Sequence, residues 1–425
     1  MPLIILALVC GGLLVGVPIF VALALSAFLG VGIFTSSPTV VVAQRLFAGI
    51  DNFTLMSIPF FVLAAELMRV AGIAERLLRL ARVLVGWLPG GLAASGVVAC
   101  LFFGSISGSS PATLAAIGSI MIVALIQAGY PERFSIGLMT TAGSLGIVIP
   151  PSITLIIYGA VTGTSIGQLF AAGLLPGLLL AGMLIIYCGF SGWLYRVPLE
   201  ARPSGREILS AIKDASFGLG LPVILLGGIY TGVFTPTESA AVAVFYGLVV
   251  GVFIYRTISL RTLVTVLRET GLVSATLLLI AAGASALSWM LASQGIVSSV
   301  ANSVLSSTDN PLLILLLFNI VLIVAGCFLD GTSAVIILAP LMLKIINAVG
   351  VDPVHFGIIT LVNVELGMMT PPVGLNLFVA CAITRKPIHI VALAVIPSTL
   401  IVLLGLMIIT YVPWISMALP NALYR

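Results

Sequence analysis

Residues 104–160 contain GSISGSSPATLAAIGSI, QAGYPERFSIGL and GSLGIVIPPSITLIIYGA; residues 326–382 contain GCFLDGTSAVIILAPLM, NAVGVDPVHFGIIT and ELGMMTPPVGLNLFVACA. With a shift of 221 residues, Pro150-Pro151 fall on Pro371-Pro372 and Pro176 falls on Pro397. At the same shift Phe134 lies within one residue of Phe356, and Gly108 and Pro131 lie within two of Gly331 and Pro353. Helix-breaking Gly, Ser and Pro at matching places in two halves of an apolar chain imply a carrier built from an internal repeat. The breaks are then the places to seek ions and substrate.

Composition sets the class. Hydrophobic residues make up 61% of the 425 residues and charged residues only 7%. No soluble fold of this length hides so much apolar surface, so the chain reads as an all-α polytopic membrane protein. The apolar runs are long and continuous, which excludes the short alternating segments of a β-barrel. A net charge of +4 carries no nucleic-acid reading. The five cysteines, Cys10, Cys100, Cys188, Cys327 and Cys381, are scattered through apolar stretches. They read as small packing residues, fitting neither a metal site nor a disulfide framework. Residues 1–34 lack a basic leader and a small-residue cleavage site, and are expected to be membrane structure.

Basic residues cluster at Arg76/Arg79/Arg82, Arg196–Lys213, Arg256/Arg261/Arg268 and Arg385-Lys386, and the positive-inside rule puts all four clusters in the cytoplasm. Crossings are then expected over 46–72, 134–160 and 169–195, with an excursion over 217–255. In the second half they are expected over 270–292, 356–381 and 388–413. Corresponding segments run in opposite directions, so the repeats, 1–195 and 217–425, are inverted, with 196–216 as a cytoplasmic linker. Residues 91–127 and 312–347 each carry a polar break midway. Each must begin and end on one side, as a re-entrant hairpin whose tip lies near the midplane. Residues 73–88 and 294–308 read as helices lying along the interface.

Four breaks should converge: 104–110, 143–152, 328–333 and 365–374. A helix broken at depth exposes carbonyls at one half-helix end and N–H groups at the other. Carbonyls and Ser/Thr hydroxyls are hard, neutral ligands for an alkali cation, and N–H groups suit a carboxylate. Prolines at 150–151 and 371–372 remove donors and free upstream carbonyls. The competing reading is close helix packing by small residues, which an isolated motif would favour and four paired breaks do not.

The strings SIPFFVLAAELM (57–68), GSISGSS, GVFTPTESAAVAV (232–244), DGTSAV and MMTPPVGLN (368–376) resemble the large membrane subunit of tripartite ATP-independent periplasmic (TRAP) transporters, over essentially the whole chain. The resemblance implies an elevator-type symporter in the bacterial inner membrane, with Na+ as coupling ion and no other cofactor. It also implies a small membrane partner of about four helices and a soluble periplasmic protein that delivers an organic acid such as a C4-dicarboxylate or sialic acid. Carried onto this chain, one sodium site would use Gly104 and Ser107 with Gly146, Ile149 and Pro151. A second would use Gly326 with Gly367, Thr370 and Val373. The substrate would sit between them, touched by Ser109, Thr154, Asp330 and Thr332; the family pattern leads one to expect serine at 154.

Asp330 is the acidic residue at the tip of the second hairpin, and an ion at that depth is a functional candidate by default. It would bind substrate hydroxyls or organise the site beside a cation, and it would also serve as a helix N-cap. No Arg or Lys sits in the breaks, so an anion would be held by hydroxyls and helix N-termini. Glu66, Glu238 and Glu365 read as structural, with Glu238 capping or bracing a helix after Thr235-Pro236. His355 and His389 read as interfacial, and Trp87, Trp193 and Trp414 as belt anchors. Alternatives are a stand-alone sodium- or proton-coupled anion symporter and, with less support, a channel, since no charged ring or filter is present. The HExxH motif and paired aspartates are missing, so the chain is not expected to be an enzyme.

Overall fold

The computed structural model describes residues 2–35 and 37–424, and the side chain of Cys10 lies outside that description. Among the described residues all regular structure is helical. Nine of the described helices are long and apolar enough to cross a membrane, with a tenth span if the pair Glu132–Val148 and Ile153–Thr162, bent by 44°, counts as one. Backbone groups in hydrocarbon must be satisfied internally, and helices of this length do so. The chain is a multi-pass membrane protein.

Two helix pairs stand where the sequence predicts hairpins. The first runs Gly91–Ser107, breaks at Gly108-Ser109, and continues as a helical run over Ser110–Gln127 with a π-turn at Leu114–Gly118. Gly108 sits at φ +58° against the Pro151 carbonyl, a left-handed tip where a side chain would meet backbone. The second pair is Pro311–Phe328 and Gly331–Ala348, broken at Leu329-Asp330. The arms of each pair pack on each other.

Two further helices are interrupted. Glu132–Gly143 and Leu145–Val148 lead into a break at 149–152 and then Ile153–Thr162. Pro353–Met368 leads into a break at 369–374 and then Leu375–Thr384. Packing is reciprocal: Ile153–Thr162 lies on the second arm of the second hairpin, while Leu375–Thr384 lies on the second arm of the first. The long helix Leu260–Ser293 packs against Ile19–Phe34, Val40–Ile50, Ser57–Val70 and Gly331–Ala348.

Three expectations are revised. The predicted crossing 46–72 is two elements: a helix ends at Ile50, and Asn52 caps a new turn by accepting from Thr54 N at 2.9 Å. The linker 196–216 is helical from Gly205, because Ser204 and Glu207 form a capping box that starts the helix Gly205–Tyr230. It is also tied down. Arg82 pairs with Glu200 at 2.6 Å and Arg79 with Asp214 at 2.5 Å, and Arg202 stacks over Trp87. The Glu200 carboxylate raises the Arg82 guanidinium further above its ordinary pKa, so that pair stays ionised. Both arginines belong to the amphipathic helix Ile73–Val85, which buries Ile73, Leu77 and Leu80. Thirdly, His355 is buried rather than interfacial. The helix Trp414–Leu423 folds over it, with Ser416 Oγ 2.6 Å from Nδ1 and Thr410 O 3.3 Å from Nε2.

Other residues do as their types suggest. Glu238 accepts from Thr235 N and Oγ1, each at 2.8 Å, in a second capping box. Glu66 pairs with Arg69 at 2.6 Å. Cys100, Cys188 and Cys327 are buried free thiols, and Cys381 is half-buried. His389, Trp193 and Trp414 are exposed.

Candidate functional site: four broken helices around one cavity

Ser109, Thr154, Asp330 and Thr332 all line one cavity of about 160 Å³. Its wall also takes Ile147 and Ile153, Met368 and Leu375, and Val273 and Leu277 of the long helix. Each of the four breaks therefore contributes. Each does so through the first residues of the helix that follows it: Ser110, Ile153, Gly331 and Leu375. Four helix N-termini surround one small space lined by no lysine or arginine; each contributes positive dipole potential, opposed at one of them by the Asp330 carboxylate. Two of these N-termini are capped by side chains, Ser152 and Asp330, and two, at Ser109 and Gly374, carry no side-chain cap.

Asp330 is heavily engaged. Its carboxylate accepts from Thr332 N at 3.1 Å, from Ser333 N at 3.2 Å, and from the hydroxyls of both residues. Three of these donors meet Oδ2 and one, the Ser333 hydroxyl, meets Oδ1, which keeps room for a further donor. The N-cap reading is thus realised in full. Thr332 spends its hydroxyl proton on Asp330, leaving it only an acceptor role toward a ligand. Thr154 is the opposite case. It is 1% exposed, and its Oγ1 has no hydrogen-bond partner in the protein. A buried unpaired hydroxyl costs about 1–3 kcal/mol, and this one lines the cavity.

The residues proposed for the first ion cluster at the first hairpin and first broken helix. A β-carbon on Gly104 would stand 2.6 Å from Gly146 Cα, and one on Gly146 would stand 2.2 Å from Thr113 Oγ1. Only glycine permits that approach. Ser107 Oγ lies 2.9 Å from Thr113 Oγ1, and the Thr113 hydroxyl donates to Ser109 O at 2.8 Å. The Pro151 carbonyl abuts Gly108. Ile149 packs its side chain against Gly177, on the helix Ile166–Leu194, so its bulk is accommodated outside the cluster.

The second set repeats the contact. A β-carbon on Gly367 would stand 2.5 Å from Gly326 Cα. The chain beyond is strapped to the hairpin, with Val373 N and Gly374 N donating to Cys327 O at 3.2 and 3.1 Å. Thr370 Oγ1 donates to Leu366 O at 2.8 Å. The two clusters differ in access. Residues 143–152 are buried throughout, whereas Pro371, Pro372 and Val373 are exposed.

Sequence reading missed Thr113 and Cys327. Thr113 reaches the cluster by folding across the hairpin tip, six residues beyond Ser107, and Cys327 acts through its carbonyl. Neither leaves a side-chain pattern to read. Among the described residues no group of three or more His, Cys, Asp or Glu could hold a metal ion. Any cation here would rest on neutral oxygens.

An all-helical membrane protein whose interrupted helices enclose one small cavity has the architecture of a transporter. The chain matches the family described as tripartite ATP-independent periplasmic transporter, DctM component, over residues 5–415, and it belongs to that family. It is 44% identical over 400 residues to the C4-dicarboxylate TRAP transporter large permease protein DctM of Pseudomonas aeruginosa, covering 94% of each chain. It is 38% identical to the sialic acid TRAP transporter large permease protein SiaM of Vibrio cholerae, covering 98% of this chain and 96% of that one. It is also 34% identical to the ectoine TRAP transporter large permease protein TeaC of Halomonas elongata over the full length of both. The fold resembles the YdaH transporter of Alcanivorax borkumensis, with a TM-score of 0.62 at 16% identity, covering 89% of this chain and 88% of that one. The relatives are permeases, and the chain is a transport protein rather than an enzyme.

Proposed function

We infer that the chain is the sodium-coupled permease of a three-component uptake system in the bacterial inner membrane. It works beside a small membrane subunit and receives a small organic acid from a periplasmic binding protein. The observation that carries the anionic substrate is the ring of four helix N-termini around a cavity with no basic side chain. A volume of about 160 Å³ lies below the roughly 300–1,000 Å³ of drug-sized sites, which favours a compact acid. A C4-dicarboxylate is the first candidate, as in the Pseudomonas relative's name.

Sodium is assigned to the two glycine-paired clusters. Their carbonyls and hydroxyls are neutral, so each bound ion brings uncompensated positive charge beside the substrate anion. The two therefore favour each other's binding. The repeat reading, with halves 1–195 and 217–425 in inverted orientation, draws support from the matching Gly104–Gly146 and Gly326–Gly367 contacts. Transport would then move the hairpins and broken helices as a unit past the long helix, in elevator fashion. Each positive charge carried inward through 100 mV contributes about 2.3 kcal/mol, so no ATP site is required.

The test is uptake of labelled succinate into liposomes holding this chain and its small partner, with and without an inward sodium gradient and the binding protein. Uptake requiring both is the expected result. Sodium-driven uptake without the binding protein would instead establish a stand-alone symporter.

A further inference from the structure

Glu365 is the last helical turn before the second break, and Asn376 is the second residue of the helix after it. Their side chains meet across the break: Asn376 Nδ2 donates to Glu365 Oε1 at 2.6 Å. Asn376 then reaches the other half of the chain, its Oδ1 accepting from Ser110 Oγ at 3.3 Å. All three residues are 0–1% exposed. Ser110 opens the second arm of the first hairpin, directly after Ser109 on the cavity wall. The other carboxylate oxygen, Glu365 Oε2, has no hydrogen-bond partner.

We propose that Glu365, Asn376 and Ser110 form a positioning tie through which closure of the second break around its cation aligns the first hairpin's face of the substrate cavity. The geometry gives this tie its leverage. Gly367, Thr370 and Val373 all lie between Glu365 and Asn376 in the chain, so an ion gathering their carbonyls sets the distance that the Glu365–Asn376 bond spans. One amide side chain reports that closure to Ser110, which lies 266 residues away in sequence. Met368 and Leu375 flank the same break and form part of the cavity wall. A break held open would misplace both. Glu365 touches neither substrate nor cavity; it holds Asn376.

The inference rests on the sodium-coupled reading above, and its test separates the two. The complex with its small partner and binding protein is reconstituted, and the KM for succinate is measured at low and at saturating sodium. Wild type should show a sodium-dependent fall in KM on the scale of about 5- to 150-fold usual for coupled sites. Ser110→Ala and Asn376→Ala should reduce that fall to less than about twofold. Glu365→Gln, which keeps the Oε1 acceptor, should retain the dependence, while Glu365→Ala loses it. Wild-type dependence in a folded Ser110→Ala complex overturns the tie, and that variant decides alone if Asn376→Ala does not fold. Loss of the dependence in Glu365→Gln with Ser110→Ala intact overturns it as well. Wild-type uptake indifferent to sodium overturns the sodium-coupled reading, and the tie with it.

Discussion

Asp330 and Thr154 sit on the same cavity and carry opposite expectations. Asparagine caps helices as well as aspartate does, so Asp330→Asn should leave the melting temperature within a few degrees of wild type. Its amide, however, presents donors where the hydroxyls of Thr332 and Ser333 now donate to a carboxylate. Uptake by that variant should fall at least about tenfold, a loss of about 1.4 kcal/mol; near-normal uptake would reduce Asp330 to a cap. Thr154→Val removes an unpaired buried hydroxyl of similar volume. Thermal stability should hold or rise, since the cost of about 1–3 kcal/mol for that orphan disappears. Succinate KM should nonetheless rise about tenfold. Unchanged KM would remove Thr154 from the substrate contacts. The Asp330 position was legible from the sequence because an acid at an apolar break is conspicuous. Its four bonds to Thr332 and Ser333 were not, since they depend on how the next turn winds.

At the scale of elements, the hairpins meet the broken helices through glycine pairs. Gly104→Ala and Gly367→Ala would each drive a methyl group into backbone, which cannot give way as a side chain can. Overpacking of this kind costs about 1–3 kcal/mol, and both variants should melt earlier and lose uptake. Gly182→Ala, in the helix Ile166–Leu194 with nothing within 4 Å of its added methyl, is the matched control. It should gain up to about 1 kcal/mol from helix propensity. Wild-type stability in Gly104→Ala would show that the two helices can part without cost. The ion pairs that hold residues 196–214 to the amphipathic helix are about half exposed. Charge removal at Arg79 and Arg82 together should cost no more than about 1 kcal/mol per pair. It should be visible as faster protease cleavage within 196–204. The breaks themselves were readable from Gly, Ser and Pro, whose backbone effects are local. The linker's attachment was not readable, because either partner alone looks like an ordinary surface charge.

For the molecule as a whole, the cavity lies between the four broken elements and the long helix Leu260–Ser293. If transport slides one group past the other, a covalent bridge across the cavity must stop it. Cysteines at Leu277 and Leu375, in a background without the native thiols, should be joined by a short bifunctional reagent. Uptake should fall in proportion to cross-linking and return on cleaving the bridge. Full cross-linking with undiminished uptake would exclude relative movement of those walls. The exposed second break and the buried first one add an order to the cycle. The ion at Gly326, Gly367 and Thr370 should exchange before the ion at Gly104, Ser107 and Gly146. Two sodium exchange phases, with the slower lost in Ser107→Ala, would bear this out.

The amino-acid sequence by itself determined the class of protein and the location of the four breaks that line the cavity. Apolar length dictates membrane helices, and clustered Gly, Ser and Pro mark the four breaks locally, whereas lone prolines such as Pro176 and Pro397 stay inside helices. Only the tertiary structure decided which broken ends share a cavity and that Asp330 already accepts from Thr332 and Ser333. It alone brought Thr113, Cys327 and Asn376 into the site. Every residue carries a carbonyl and an N–H group. Which of these face one another across 200 residues of chain is set by packing, and packing leaves no local mark in the sequence.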